Sequence, residues 1–156
     1  MDRSDTMQTL TFSNPVEYTA KHEYTRYRIN ALIGDREIGA AHYTHKNKGR
    51  WYFAELAVHE EYQNRGIGSS LFHHCIHRIA QQNPISIEWT VVPQDSNRSL
   101  QQLAQWYRKR VESLTLPHAT LTEKNFGYAV DMTLTFNQGI SEQQLKTNRP
   151  KRTKKV

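Results

Sequence analysis

Two closely spaced glycines stand where a strand-like segment passes into a helix-like one. The segment Leu56–Arg78 reads LAVHEEYQNRGIGSSLFHHCIHR. A glycine-rich turn of this kind directs successive backbone N–H groups toward one point, and the N-terminus of the following helix adds a partial positive charge. Gly66 and Gly68 lack side chains that would keep a bulky anion away from the backbone. Ser69 and Ser70 add hydroxyl donors, so the segment predicts a phosphate-binding loop.

The residue order in this loop excludes two common phosphate-binding motifs. A dinucleotide fingerprint needs a third glycine where this chain has Leu71, and a P-loop needs Gly-Lys followed by Ser or Thr. The loop instead reads Gln63-Asn64-Arg65-Gly66-Ile67-Gly68, which resembles the Q/R-x-x-G-x-G/A signature of the GCN5-related N-acetyltransferases. The flanking segments resemble the family too: a strand end at Leu56–Val58, an acidic and aromatic stretch at Glu60–Tyr62, and an amphipathic helix after the loop.

The resemblance covers about residues 24 to 136 and implies a fold. That fold is a single mixed α/β domain with a mostly antiparallel central sheet, splayed between two strands and flanked by helices. The N-terminal helical region is expected to be reduced, because only the short stretch Ser13–Lys21 is free for the two helices that usually follow the first strand.

The resemblance also implies acetyl-CoA as the co-substrate, bound where the strands Trp51–Val58 and Ile85–Val92 separate. Backbone groups at the end of the strand Trp51–Val58 would form hydrogen bonds with the pantetheine arm, as they would with an additional strand. The amides of the glycine loop would hold the pyrophosphate. The cofactor-binding residues so implied are Leu56, Ala57, Val58, Gln63, Asn64, Arg65, Gly66, Ile67, Gly68, Ser69, Ser70 and Asn97.

The implied reaction is direct attack of a primary amine on the thioester, and it needs groups that move protons. The amine must lose a proton to attack, and the leaving thiolate benefits from gaining one. Glu55 is the acid inside the central strand, where we expect burial to favour a proton-accepting role; Glu88 on the facing strand, or water, is the alternative. Tyr107 is the family-like proton donor, and the N–H near Leu56 would polarise the carbonyl. As structural alternatives, Glu55 would pair with a basic neighbour and Tyr107 would be a core aromatic.

The histidine-rich stretch of the first helix has a structural interpretation. The apolar stripe of that helix consists of Leu71, Phe72, Cys75, Ile76 and Ile79. His73, His74 and His77 lie off this stripe, so we expect a solvated polar face and no metal site. Cys75 lies on the stripe and is expected to be a core residue rather than a nucleophile.

The elements that position these residues follow from periodicity and turn signals. The expected strands are Met7–Phe12, Tyr24–Ile33, Glu37–Thr44, Trp51–Val58, Ile85–Val92, Leu114–Thr122 and Tyr128–Phe136. The strands Tyr24–Ile33 and Glu37–Thr44 form a hairpin. The strand Trp51–Val58 is apolar enough on both faces to lie in the centre of the sheet. The expected helices run from the glycine loop to about Gln82, and from a cap at Asp95 or Ser96 to about Glu112. The stretch Ser13–Glu23 has no clear period and leaves room for a helical turn.

Composition and charge limit the class of protein. The chain has 156 residues, one cysteine and no apolar run long enough to span a membrane, so we expect one domain at residues 1–137, a cytoplasmic location, no disulfide and no membrane partner.

Residues 142–156 hold six Lys or Arg against one Glu and so carry five of the six net positive charges. We therefore expect residues 138–156 to be a disordered basic tail able to make weak contacts with nucleic acid or an acidic partner.

Taken together, these patterns predict an acetyl-CoA-dependent N-acetyltransferase. Its acceptor could be a small amine, a protein amine or an aminoacyl-tRNA, and a homodimer is compatible with the sequence. The competing hypothesis is a non-catalytic acyl-CoA-binding module that its basic tail tethers to nucleic acid or to a protein.

Overall fold

A computed structural model describes residues 9–21, 24–94 and 98–137, with the backbone alone for residues 18–21. The strands are β1 (Leu10–Phe12), β2 (Val16–Lys21), β3 (Tyr24–Ile33), β4 (Arg36–His45), β5 (Arg50–Val58), β6 (Ser86–Val91), β7 (Ala119–Asn125) and β8 (Val130–Phe136). The helices are α1 (Ile67–Ala80) and α2 (Leu100–Glu112), and one 3₁₀ turn spans Glu60–Tyr62.

All eight strands belong to one sheet, in the order β1-β3-β4-β5-β6-β8-β7, with β2 paired to β3 as well. Every pairing is antiparallel except that of β5 with β6. The predicted mixed α/β domain with a mostly antiparallel sheet is therefore confirmed, as is the central position of β5.

The strands β5 and β6 separate soon after they meet. Their ladder contains Arg50 to Tyr52 on β5 and Ser86 to Glu88 on β6, and no further pair. Because β5 continues to Val58 and β6 to Val91, the unpaired parts of the two strands form a wedge. Its closed end lies at Tyr52 and Glu88, and its open end faces the glycine loop that follows β5.

A β-bulge lies in β5 just beyond the closed end of the wedge. In the β4–β5 ladder His42 pairs with Glu55 and Tyr43 pairs with Phe53, so Ala54 has no partner. A bulge of this kind interrupts the alternation of side chains along a strand. Consequently Phe53 is buried, whereas both Ala54 and Glu55 are exposed.

Both helices pack on one face of the sheet. The Phe72 ring of α1 meets Phe53, Trp89 and Tyr107 edge-to-face, with ring centres 5.4, 5.6 and 5.5 Å apart. The predicted inward stripe of α1 is confirmed, because Leu71, Phe72, Cys75, Ile76 and Ile79 are all buried. Neither helix is long and apolar enough to cross a membrane, a finding that covers the described residues alone.

No helix within the described ranges covers the other face of the sheet, which we call the open face. Ile87, Trp89 and Val91 of β6 are buried toward the helices, so strand alternation places the residues between them on the open face. Cross-strand partners share a face. The open face near the wedge therefore carries Tyr52, Glu55, Glu88, Thr90 and Asp131.

The N-terminal helical region is reduced as expected, and the stretch that left room for a helical turn is extended within the described residues. Residues 16–21 form the strand β2, which pairs with residues 24–28 of β3. The free backbone edge of β3 offers this segment a hydrogen-bonding partner, and that tertiary contact outweighs any local preference for a helical turn.

Two boundaries near the second helix also differ. The helix α2 is capped by Ser99, not by Asp95 or Ser96, which lie outside the described residues. Ser99 Oγ accepts from the Gln102 N–H at 3.1 Å, and the Gln102 side chain accepts from the Ser99 N–H at 2.8 Å. This reciprocal capping box satisfies two N–H groups at the helix start. The strand β7 begins at Ala119 rather than at Leu114, and Leu114 is instead buried in the core.

Candidate functional site

A cleft of about 720 Å³ opens at the wide end of the wedge. The end of β5, the glycine loop, the first turn of α1, the segment after β6 and one face of α2 all contribute to it. The lining residues are Leu56, Ala57, Val58, Gln63, Asn64, Gly66, Gly68, Ser69, Pro93, Gln94, Arg98, Leu103, Trp106, Tyr107 and Arg110.

The glycine loop turns sharply to start α1. Asn64 and Gly66 both have left-handed backbone conformations, with φ of 64° and 81°. Gly66 is the N-cap of α1, and no side chain caps the helix there. The first N–H groups of a helix have no partner within it, so those of α1 are available to an anion. The Gln63 side chain ties the loop to β5 by donating to the Val58 carbonyl at 2.9 Å.

The two glycines of the loop have different structural roles. Gly66 has the positive φ that glycine adopts readily. At Gly68, by contrast, a Cβ would meet Val58 Cγ2 at 3.8 Å and Trp106 Cζ2 at 4.0 Å, which are ordinary contacts. The fold would therefore accept alanine at this helical position, where alanine is favoured by roughly 1 kcal/mol over glycine. Glycine at 68 keeps space along the cleft wall for a molecule that approaches the backbone closely.

Two arginines place positive charge in the cleft, and sequence reasoning did not identify either of them. Arg98 precedes α2, and Arg110 lies in its last turn. The Arg110 guanidinium donates to Ser69 Oγ at 2.8 Å and stacks over the Trp106 ring at 5.1 Å. Its spacing of three residues from Tyr107, which puts both on one helix face, is the signal that could have found it.

The structure brings together most, but not all, of the expected cofactor-binding residues. Those that line the cleft are Leu56, Ala57, Val58, Gln63, Asn64, Gly66, Gly68 and Ser69. Three others do not line it: Ile67 is buried in the core, Arg65 stacks on the Tyr62 ring at 5.2 Å, and Ser70 is exposed. Asn97 lies outside the described residues.

Tyr107 occupies the wall of the cleft formed by α2. Its ring packs against Trp106 and Phe72, with centres 4.9 and 5.5 Å away, so it is both a core aromatic and a cleft residue. Burial raises the pKa of its hydroxyl, and the nearby Arg98 opposes that shift. Tyr107 therefore stays protonated at neutral pH and able to donate.

Glu55 lies outside the cleft, on the open face beside the bulge. The expectation that it would be buried is wrong, because the bulge at Ala54 turns the Glu55 side chain toward solvent. Glu88 is half-buried on the same face. Both candidate bases thus stand on the side of the sheet opposite the helices, and an acceptor reaching them would approach from that side.

Of the three histidines expected on a solvated face of α1, His77 is exposed, whereas His73 and His74 are half-buried. His73 Nε2 lies 3.2 Å from the Arg110 carbonyl and 2.9 Å from Ser113 Oγ, and the His74 ring stacks on Phe12 at 4.5 Å. Burial lowers the pKa of both imidazoles. Within the described ranges, no three His, Cys, Asp or Glu side chains are arranged to hold a metal ion. Cys75 is a core residue, and burial raises the pKa of its thiol to about 12.

Solved structures with a similar fold include two acetyltransferases crystallised with CoA. The PaiA N-acetyltransferase of Thermoplasma acidophilum, in complex with coenzyme A, has a TM-score of 0.51 and 14% identity, over 71% of this chain and 61% of its own length. A Bacillus subtilis acetyltransferase in complex with CoA has a TM-score of 0.51 and 17% identity, over 71% of this chain and 77% of its own. No curated protein sequence matches this chain.

The family comparison is more specific than these likenesses of fold. The model of the acetyltransferase (GNAT) domain matches residues 23–110, which is more than half of the chain. The matched range begins at the β3–β4 hairpin and contains the wedge, the glycine loop and most of α2. The chain therefore belongs to the GNAT acetyltransferases.

Proposed function

We propose that this protein is an acetyl-CoA-dependent N-acetyltransferase that acts on a primary amine. The observation that carries the proposal is the wedge between β5 and β6, which opens directly onto the uncapped start of α1. An extended pantetheine arm fits a gap between two strands, where unpaired backbone groups of β5 can bond to it. The pyrophosphate then reaches the helix N-terminus.

The residues of the cleft fit the rest of this co-substrate. Gly68 leaves room for the pyrophosphate against the backbone, and the guanidinium groups of Arg98 and Arg110 complement its charge. The Leu56 N–H, in the part of β5 that β6 does not pair with, is the group that we propose to polarise the thioester carbonyl.

The proposed reaction is one direct displacement. The amine nitrogen, once it has lost a proton, attacks the thioester carbon and forms the C–N bond, and the C–S bond breaks. The Tyr107 hydroxyl supplies a proton to the departing thiolate and regains one from the new amide nitrogen. In this proposal the acceptor lies on the open face, where the carboxylates of Glu55 and Glu88 attract its ammonium group, and the first proton leaves the amine on that face.

Calorimetric titration of acetyl-CoA into the full chain tests the first half of the proposal. We expect micromolar affinity in the natural protein and no detectable binding in Gly68→Asp, because the added carboxylate would stand where the pyrophosphate binds. The matched control is Gln101→Asp, which adds the same charge at an exposed position in the first turn of α2, outside the cleft. Equal affinity in all three proteins would contradict the assigned cleft.

Release of CoA in the presence of an amine panel tests the second half. We expect turnover with at least one cationic amine, such as spermidine or a lysine-containing peptide. Tight acetyl-CoA binding without turnover on any amine would favour the non-catalytic acyl-CoA-binding module instead.

A further inference from the structure

Three polar side chains form a continuous row across the open face, from β5 through β6 to β8. The Tyr52 hydroxyl donates to Thr90 Oγ1 at 3.3 Å, and Thr90 Oγ1 donates to Asp131 Oδ1 at 2.9 Å. The first contact is long for a bond between two hydroxyls, as expected where two strands are moving apart. The second joins directly paired residues of β6 and β8.

The chemistry of the row fixes the direction of its hydrogen bonds. An ionised carboxylate accepts only, so the single proton of the Thr90 hydroxyl must point to Asp131. Thr90 Oγ1 can then only accept from Tyr52, whose own proton points inward along the row. The Tyr52 oxygen is left with free lone pairs at the outer end of the row, and it is a proton acceptor there.

The row stands at the closed end of the wedge. Tyr52 and Glu88 are the last pair of the β5–β6 ladder, and Thr90 lies two residues beyond Glu88. The Tyr52–Thr90 contact therefore spans the gap in which the strands begin to separate. A pantetheine arm that enters from the open end points its thioester toward this closed end, so an amine arriving from the open face meets the Tyr52 hydroxyl there.

We propose that Tyr52, Thr90 and Asp131 form a proton relay that removes a proton from the cationic acceptor amine before it attacks acetyl-CoA. This inference rests on the proposed function and names the route that its first proton takes. Tyr52 is the catalytic residue, since it touches the amine, and Thr90 and Asp131 act through it.

Each group of the relay gains one proton as it gives one up, and Asp131 keeps the last one. The ammonium N–H gives its proton to Tyr52 Oη, the Tyr52 proton passes to Thr90 Oγ1, and the Thr90 proton passes to the Asp131 carboxylate. The nitrogen keeps the electron pair with which it attacks the carbonyl. Asp131 is half-buried at the surface, so it returns the proton to solvent after each turnover.

Charged groups adjoin both ends of the relay. Glu88 is the β6 partner of Tyr52, and the Lys46 ammonium lies over the Tyr52 ring at 5.3 Å. Lys124 of β7 is the partner of Asp131. Glu55 lies farther along β5, beyond the bulge. Its carboxylate is the competing base, which would take the proton from the amine directly.

The test uses the full chain and two nucleophiles that differ in charge. Spermidine is cationic at neutral pH and needs a proton removed, whereas hydroxylamine is already neutral. In Asp131→Asn and Thr90→Val we expect turnover of spermidine at neutral pH to fall about tenfold or more, and to recover as the pH approaches the pKa of the amine itself. Hydroxylamine turnover and acetyl-CoA affinity should change by less than about twofold in both variants.

Conservative variants supply the matched controls. Thr90→Ser keeps the relaying hydroxyl and should retain spermidine turnover, whereas Thr90→Val should not. Tyr52→Phe keeps the ring and its contact with Lys46 but removes the acceptor oxygen, so it should behave like Thr90→Val. Thermal unfolding of each variant shows whether the sheet is intact.

Three outcomes would overturn the relay. One is an equal loss with both nucleophiles, which would indicate a structural role for the row. Another is unchanged spermidine turnover in Asp131→Asn together with a loss in Glu55→Gln of spermidine turnover but not of hydroxylamine turnover, which would make Glu55 the direct base. The third is natural protein that binds acetyl-CoA but acetylates neither nucleophile, and in that case the proposed transferase function fails first and the relay fails with it.

Discussion

The Arg110 guanidinium donates a hydrogen bond to Ser69 Oγ at 2.8 Å, which joins the last turn of α2 to the first turn of α1 across one end of the cleft. The same guanidinium stacks on the Trp106 ring. This geometry holds a permanent positive charge beside backbone N–H groups that already favour an anion. Arg110 thus lies at the end of the cleft to which we assign the pyrophosphate, although it is 41 residues from Ser69 along the chain.

Replacing Arg110 by Gln should weaken acetyl-CoA binding roughly tenfold, the size expected for one charge-assisted hydrogen bond to phosphate. The loss should be larger at low salt, because screening already reduces the contribution of the arginine at high salt. Titration calorimetry at two salt concentrations measures both effects. Arg108→Gln is the control, since Arg108 pairs with Glu123 and does not line the cleft; equal losses in the two variants would contradict a local role for Arg110.

Gly68→Ala should change stability and binding in opposite directions. The alanine Cβ meets only ordinary contacts, so the free energy of unfolding should rise by up to about 1 kcal/mol. The same methyl group narrows the cleft wall, so acetyl-CoA affinity should fall. Urea denaturation and calorimetry on the same preparation check the pair of effects, and a variant that loses stability would show that the helix needs glycine at this position for its own geometry.

Tyr107→Phe should lower kcat while leaving acetyl-CoA affinity nearly unchanged, because it removes a proton donor and keeps the ring packing. Burial raises the pKa of Tyr107 above its ordinary value of 10.0, so the hydroxyl remains a donor through neutral and mildly alkaline pH. Any loss of activity from its ionisation should therefore begin above the ordinary tyrosine range. The pH profile of kcat measures this, and a profile identical in Tyr107→Phe and the natural protein would remove Tyr107 from the reaction.

The protein should become less stable as the pH falls through the ordinary histidine range. Burial holds the pKa of His73 and His74 below 6.5, so the unfolded chain binds protons at pH values where the folded chain does not. Their contribution to stability is present above about pH 6.5 and is lost on acidification. His73→Gln should reduce the change in the free energy of unfolding between about pH 7 and pH 5, measured by urea denaturation. The same substitution at the exposed His77 should leave that change unaltered.

Local sequence was sufficient for the elements whose pattern repeats over many residues. The apolar stripe of α1, the β3–β4 hairpin and the central strand β5 all lie where periodicity predicts them. The glycine loop could also be predicted, because its turn and the helix start that follows it depend on a few consecutive residues.

The exposure of Glu55 and the position of Arg110 depended on tertiary contacts. A one-residue bulge at Ala54 reverses the side-chain alternation of β5, and its presence is decided by pairing with β4 rather than by the residues of β5 alone. Arg110 reaches Ser69 because α1 and α2 pack side by side on the same face of the sheet. His73 is half-buried for the same reason, since α2 covers it.

The amino-acid sequence by itself thus determined the family-like loop, the apolar stripe of α1 and the hairpin of β3 and β4, since each follows from interactions between residues close in the chain. Only the tertiary structure decided which face carries the acids, which arginines enter the cleft and how Tyr52, Thr90 and Asp131 line up. Those arrangements join residues from three strands or two helices, and their relative positions are set by packing and register across the whole sheet.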